Sequence, residues 1–215
     1  MASSRTIHLV TAVSRPQNLF RIWNSIRFSL AKSDLDANWI VVADRWSDLV
    51  TFPFPLSRRL EITRIVDTEH KPCPYGIRQK NLGMSLIKQG YYHCLDDDNI
   101  VHPDFFYGIE HQIDLGTQGI CFNQRRWDML GTLEADPKKM GYGEIDNTMF
   151  VVSIDLIGHR RYSLEDAGKE DWLFFSKLYE QSPTQFVFLK KVLAYYNYIR
   201  QFPIEPVVGF DEVPR

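Results

Sequence analysis

Three short segments, TIHLVTAV (6–13), WIVVAD (39–44) and LEITRIV (60–66), are rich in Val, Ile and Thr and bounded by polar or Pro-containing stretches. Their length and β-branched content predict strands, the first two buried on both faces. Between the first two, Ser14 with Gln17 three residues later and Pro16 in the first turn signals a helix start. Leu19, Trp23, Ile26 and Leu30 then give that helix one apolar stripe. After the Pro-rich connection TFPFPLS and the third strand, YGIRQKNLGMSLIKQG (75–90) predicts a second helix. Ile77, Leu82 and Leu86 lie on one side of it and Gly90 stops it. YYHCLDDD supplies a fourth strand. The order strand, helix, strand, strand, helix, strand predicts an α/β fold with a mainly parallel open sheet flanked by helices. Such sheets bind ligands beyond the carboxyl ends of their strands. Asp44 and the run Asp96–Asp97–Asp98 both stand at strand ends, so they are expected on one rim.

The aspartate run is the chain's main electrostatic anomaly. Two carboxylates roughly 7 Å apart repel by about 2–3 kcal/mol at an effective dielectric near 20. Water or a cation must offset that cost. In an extended backbone Asp96 and Asp98 point to one side and Asp97 to the other. Two carboxylates on one side form a hard-oxygen site suited to Mn²⁺ or Mg²⁺ together with substrate phosphates. A solvated turn is the alternative, since Asp and Asn favour turns. An EF-hand loop does not fit, because Ile100 and Val101 stand where an oxygen ligand and a glycine are needed.

The rest of the chain is less regular. GICFNQRRW (119–127) and TMFVVS (148–153) predict strands separated by the polar loop DPKKMGYGEIDN, and a helix follows from Ile154. EDWLFFSKLYE (170–180) predicts an amphipathic helix opened by two acids, as the helix dipole favours. QFVFLKKVLAYYNYIR carries strand alternation. Residues 1–200 are expected to form one domain of two halves (1–100 and 101–200), followed by an extended tail (201–215). A net charge of −2 lacks the basic excess of a nucleic-acid binder, so no nucleic-acid partner is expected. Cys73, Cys94 and Cys121 have neither disulfide-framework nor zinc spacing, which points to a reducing compartment. The opening residues do not read as a signal peptide, and no run approaches the ~20 apolar residues of a membrane span. A cytoplasmic location is expected, with docking at a membrane or tethering through further domains of a larger polypeptide left open.

LDDDNIVHPDFF resembles the Asp-x-Asp strand end of nucleotide-sugar glycosyltransferases with the GT-A (Rossmann-like) fold, and more narrowly that of the β-1,3-glucuronyltransferase family. WIVVAD, GIRQKNLGMSLI and EIDNTMFVVSIDLI are similar to further segments of that family in the same order, so the resemblance covers roughly residues 6 to 180. On that resemblance the first half (1–100) would bind the nucleotide and the second half (101–200) the acceptor. It implies a UDP-sugar donor and a metal, Mn²⁺ or Mg²⁺, held by Asp98 with Asp96. It implies that Asp44 contacts the uracil and that Asp96 and Asp97 hold the ribose or its water. Thr11, in a first-strand segment lacking the family's Pro and Tyr, joins the nucleotide-sugar residues. So does Asp146, which would orient donor or acceptor hydroxyls. Lys80 stands where the family has a diphosphate-binding Arg. Tyr75 replaces a second Arg, for which Arg78 would compensate. AYYNYIR lacks the family's diphosphate-contacting His and offers Tyr196 or Asn197 instead.

GKEDWLFFSKL resembles the acidic pair that opens a helix in many inverting enzymes of this fold. Glu170 and Asp171 are therefore both candidates for the base that takes the acceptor hydroxyl's proton, with Asp171 preferred. Trp127, Tyr142 and Trp172 offer aromatic faces to an acceptor sugar. The implied activity is metal-dependent, inverting transfer from a UDP-sugar to a glycan hydroxyl. A retaining enzyme of the same fold and a non-catalytic nucleotide- or carbohydrate-binding module are the alternatives. A sugar nucleotidyltransferase is disfavoured because TAVSRPQN has no glycine for a phosphate loop.

Overall fold

The computed structural model describes residues 5–45, 58–69, 73–127 and 131–201. The TFPFPLS connection and nearly all of the expected C-terminal tail lie outside the described residues. Strands β1 (Thr6–Val13), β2 (Asp36–Ala43), β3 (Leu60–Val66) and β4 (Tyr91–Cys94) form a parallel block in the order β3-β2-β1-β4. The chain steps outward from β1 to β3 and then returns to place β4 on the other side of β1. That reversal opens a crevice between the carboxyl ends of β1 and β4, the position at which such sheets bind ligands.

The sheet continues with β8 (Phe150–Ser153), antiparallel to both β4 and β6 (Gly119–Arg126). β9 (Phe186–Tyr196) runs parallel to β6, and the two-residue β5 (Ile100–Val101) pairs antiparallel with β9. A short β7 (Gly131–Leu133) pairs with β6. The prediction of a mainly parallel α/β sheet thus holds for the first half, and the second half makes the sheet mixed.

Each face of the sheet carries its own apolar core. On one, α1 (Leu19–Leu30) and α3 (Phe105–Asp114) cover Ile7, Leu9, Trp39 and Val41. The predicted stripe Leu19, Trp23, Ile26, Leu30 is the buried side of α1. On the other, α2 (Ile77–Ser85) and α5 (Glu170–Gln181) cover Val10, Ile40, Val42 and Phe150. Two four-residue helices, α4 (Ile154–Ile157) and α6 (Tyr198–Gln201), complete the described elements.

Two helix starts differ from expectation. Ser14 does not cap α1: Pro16–Asn18 form a 3-10 turn first, and the Ser14 hydroxyl donates to Asp97 instead. The second helix begins at Ile77, after Tyr75 and Gly76 take positive φ of 57° and 64°, and ends at Ser85. Leu86 is exposed, and the face turned inward is Ile77, Lys80 and Met84, with Gly83 at the closest approach to the sheet.

Candidate active site

A cleft of about 670 Å³ lies over the carboxyl ends of β1, β2 and β4. The loop after β1 gives it Ser14 and Arg15, the end of β2 gives Asp44, and the residues after β4 give Asp96, Asp97 and Asp98. The opposite wall carries Tyr142, Asp146, Glu170, Asp171 and Trp172, and Tyr196 and Arg200 close the C-terminal side. Asp44 and the aspartate run therefore share one rim, as strand order demands.

The three aspartates have separate environments because the chain turns at them, with the Asn99 amide donating to the Asp96 carbonyl at 3.1 Å. Asp97 points to the β1–α1 loop. Its Oδ2 accepts from the Ser14 amide (2.6 Å), the Ser14 hydroxyl (2.8 Å) and the Arg15 amide (2.6 Å), and Oδ1 pairs with the Arg15 guanidinium. The expected ribose contact is thus corrected: the Asp97 carboxylate staples the loop after β1 to the loop after β4. Asp96 faces Lys80 Nζ at 3.3 Å. Asp98 Oδ2 receives Arg200 Nε at 2.6 Å and lies 3.3 Å from the Arg15 guanidinium. Burial pushes the Asp98 carboxyl above its usual range; the charge of Asp96 adds to this and Arg200 opposes it. The run's charge is thus balanced by three cations of the chain itself.

Lys80 is almost wholly buried, between Asp96 and Asp171 Oδ1 (3.9 Å) and over the Tyr162 ring. Burial works against its charge, but the Asp96 and Asp171 carboxylates more than offset this and hold its pKa well above the ordinary value. Asp171 opens α5. Burial raises its carboxyl well above the usual range against the pull of Lys80, and Asp146, Asp96 and Glu170 add to the rise. Asp171 Oδ1 is buried and accepts no hydrogen bond. Its neighbour Glu170 is turned back, accepting the Gly168 amide at 2.6 Å. Asp146 Oδ1 accepts from the Thr148 amide, the Thr148 hydroxyl and Gln124, which makes it the cap of the turn before β8.

Several expected site residues lie elsewhere. Thr11 is fully buried; its hydroxyl donates to the Leu95 carbonyl (2.7 Å) and accepts from Trp39 Nε1 (2.9 Å), tying β1 to its neighbours. Arg78 faces away from the cleft and chelates Asp67 at 2.6 and 2.8 Å, so it does not compensate for Tyr75. Trp127, the residue after β6, packs edge-on against Tyr198 and turns to the core on the α1 side of the sheet instead of lining the cleft. Tyr142 and Trp172 do meet at the cleft, with ring centroids 6.0 Å apart. Tyr142 is 62% exposed, while the Trp172 indole N–H donates to the Met140 carbonyl at 2.8 Å. Asp44 is exposed and accepts from Gln79 Nε2 at 2.6 Å.

Sequence reasoning missed Arg15 and Arg200. Arg15 directly follows a strand end, which was a usable signal. Arg200 had none, since it reaches the run through the fold: the Asn197 amide donates to Asn99 Oδ1 (2.8 Å) and the Ile199 amide to the Asp98 carbonyl (3.1 Å). Among the described residues no group of three or more His, Cys, Asp or Glu is arranged to hold a metal ion, and no helix is long and apolar enough to cross a membrane.

No protein-family model matches the chain, and no curated protein matches it in sequence. Solved structures match over most of its length. S. aureus TarS 1-349 superposes with a TM-score of 0.62 at 15% identity, covering 92% of this chain and 62% of that one. The same protein in complex with UDP-GlcNAc gives 0.60 at 14%, covering 89% and 58%. The mannosyltransferase PcManGT from Pyrobaculum calidifontis, in complex with GDP-Man and Mn²⁺, gives 0.61 at 13%, covering 91% and 57%. The chain spans less than two thirds of each of these structures, and 36% of a longer TarS chain. At such identities the likeness is one of architecture, a mixed α/β, Rossmann-like fold that this chain shares with those structures.

Proposed function

We propose that this chain is a nucleotide-sugar glycosyltransferase that moves a sugar from a UDP-sugar to a hydroxyl of a glycan acceptor with inversion. One observation carries the reading. Asp96 and Asp98, at the end of β4, face Asp171, at the start of α5, across a single cleft at the strand-order reversal. UDP-GlcNAc in TarS and GDP-Man in PcManGT are donors of the expected class, and the narrower β-1,3-glucuronyltransferase resemblance rests on the sequence motifs.

Asp44, steadied by Gln79, would accept a hydrogen bond from the base, as the motif resemblance implies. Asp171 would take the acceptor hydroxyl's proton as that oxygen attacks the anomeric carbon and the bond to the diphosphate breaks. Two features suit it to this: a buried Oδ1 that accepts no hydrogen bond and faces Lys80, and a pKa raised well above the usual carboxylate range by burial. Glu170 and Asp146 are less suited, since local donors already occupy one oxygen of each: the Gly168 amide on Glu170, and the Thr148 amide and hydroxyl with Gln124 on Asp146. Tyr142 and Trp172 would receive the acceptor sugar.

The donor set fits Mn²⁺ or Mg²⁺ as a site completed by substrate phosphates. Two hard carboxylates, Asp98 and Asp96, line the cleft, and the charge of Asp96 is close enough to raise the cost of ionising Asp98. A divalent ion bound there would neutralise charge on the departing diphosphate. The test is UDP release from a panel of UDP-sugars with Mn²⁺ and mixed glycan acceptors, for wild type and Asp171→Asn. Transfer should fall by about 10²–10⁴-fold in the variant. Equal turnover in the two proteins would remove Asp171 from the mechanism, and absence of transfer with every donor would sink the proposal.

A further inference from the structure

Asp98, the residue that would ligate the metal, carries both guanidinium contacts on a single oxygen, Oδ2: Arg200 Nε at 2.6 Å and Arg15 at 3.3 Å. The side chain is only 8% exposed, so a hydrated divalent ion cannot reach that oxygen without displacing a guanidinium. The charges are also in balance, with Asp96, Asp97 and Asp98 facing Lys80, Arg15 and Arg200. A dication entering alone would take Asp98 from Arg200 and leave that guanidinium without its carboxylate partner. One entering with a diphosphate would supply phosphate oxygens in its place.

The two arginines differ in freedom. Arg15 is held by Asp97 as well as by Asp98, and its backbone amide is also bonded there. Arg200 has a 51% exposed side chain, stands on the four-residue α6, and lines the cleft where a diphosphate would lie. It can leave Asp98 for phosphate oxygens without disturbing the sheet, and guanidinium suits either partner.

We infer that Arg200 is a built-in counter-ion of Asp98 that a metal–nucleotide pair displaces, so that this chain takes up its divalent ion together with the donor and not before it. The inference rests on the proposed function but reads a different property of the site. When the donor enters, Asp98 passes from Arg200 to the ion and Arg200 passes to the diphosphate, so that every charge keeps a partner.

Mn²⁺ binding followed by electron paramagnetic resonance, with and without UDP, tests it independently of turnover. Without UDP, Arg200→Gln should bind Mn²⁺ about tenfold more tightly than wild type, a coupling of ordinary size. Arg200→Lys, which keeps the charge, should stay near wild type. In Arg200→Gln combined with Asp98→Asn, the gain should vanish. With UDP present the advantage of Arg200→Gln should disappear. If Arg200→Gln gains no Mn²⁺ affinity while both proteins still bind Mn²⁺ with UDP, the inference is overturned and the transferase reading stands. A gain that survives loss of the Asp98 carboxylate places the ion elsewhere and also overturns it. Failure of every protein to bind Mn²⁺ and UDP together overturns both readings.

Discussion

Lys80 shows how a single buried charge can organise a site. Its ammonium stands between Asp96, on the donor side, and Asp171, on the acceptor side, and each of those acids would otherwise face the other's repulsion. Lys80→Met keeps the side chain's length and removes the charge. Breaking a buried pair from one side typically costs about 3 kcal/mol or more, a loss that urea unfolding would register. Asp171 would also lose the Lys80 charge that lowers its pKa, so it would ionise at higher pH. A base must be ionised to act, and the acid limb of the pH–rate profile should therefore move upward in the variant. An unmoved limb would mean that Lys80 holds structure only. His93 gives a second titration test. Burial among Phe105 and Phe122 lowers its pKa from 6.5 to about 4, against a bond to the Phe150 carbonyl. The unfolded chain takes up this proton near the ordinary value and the folded chain does not. Stability from this residue is thus complete above the unfolded pKa and declines as pH falls toward the folded one. The loss should reach about 2 kcal/mol near pH 5, and His93→Leu should flatten that part of the profile. A wild-type and variant difference independent of pH would refute it.

At the scale of elements, the site depends on how closely α2 lies on the sheet. A Cβ built on Gly83 would fall 2.5 Å from Val10 Cγ1 and 3.3 Å from Val42, at the centre of the α2–β1–β2 contact. Gly83→Ala gains about 1 kcal/mol of helix propensity. It must also push α2 outward, and overpacking a tight core costs about 1–3 kcal/mol. Gln79 and Lys80 ride on that helix, so the variant should lose both thermal stability and UDP affinity. A variant more stable than wild type would show that the contact yields easily. The same contact explains what the sequence could and could not disclose. The parallel strands were legible because their apolar, β-branched runs end where the pattern ends, and β1 and β3 have the expected limits. The inward face of α2 was not, because it is built on a buried lysine, which an apolar stripe cannot reveal. β5 has only two residues, too short for a period, and it owes its existence to pairing with β9. Thr11 and Arg78 were chosen by place in the chain, and the alternation of a strand and the nearness of Asp67 turned both away from the cleft.

For the whole molecule, the cleft is the place where strand and helix ends from the earlier and later parts of the chain meet. The Asn99 side chain joins them, its Nδ2 donating to the Thr148 hydroxyl and its Oδ1 accepting from the Asn197 backbone amide. Ligand binding across that junction should therefore stabilise the fold as a unit and not one half alone. At about a hundred times Kd a ligand contributes about 2.7 kcal/mol, which for a domain of this length raises Tm by roughly 5–10 °C. UDP with Mn²⁺ should produce that rise as one cooperative transition in wild type. EDTA should remove most of it, and so should Asp98→Asn, whose side chain keeps its shape but loses the charge. Arg200→Gln should lose only part of it, because the ion still takes Asp98 while the diphosphate forgoes one guanidinium. GDP serves as the comparison, since a rise with GDP and none with UDP would reassign the base while keeping the diphosphate and metal parts of the reading. A rise that persists undiminished in EDTA would instead leave a bound diphosphate to cations of the chain such as Arg15, Lys80 and Arg200, and the acidic run would then serve to position those cations rather than a metal.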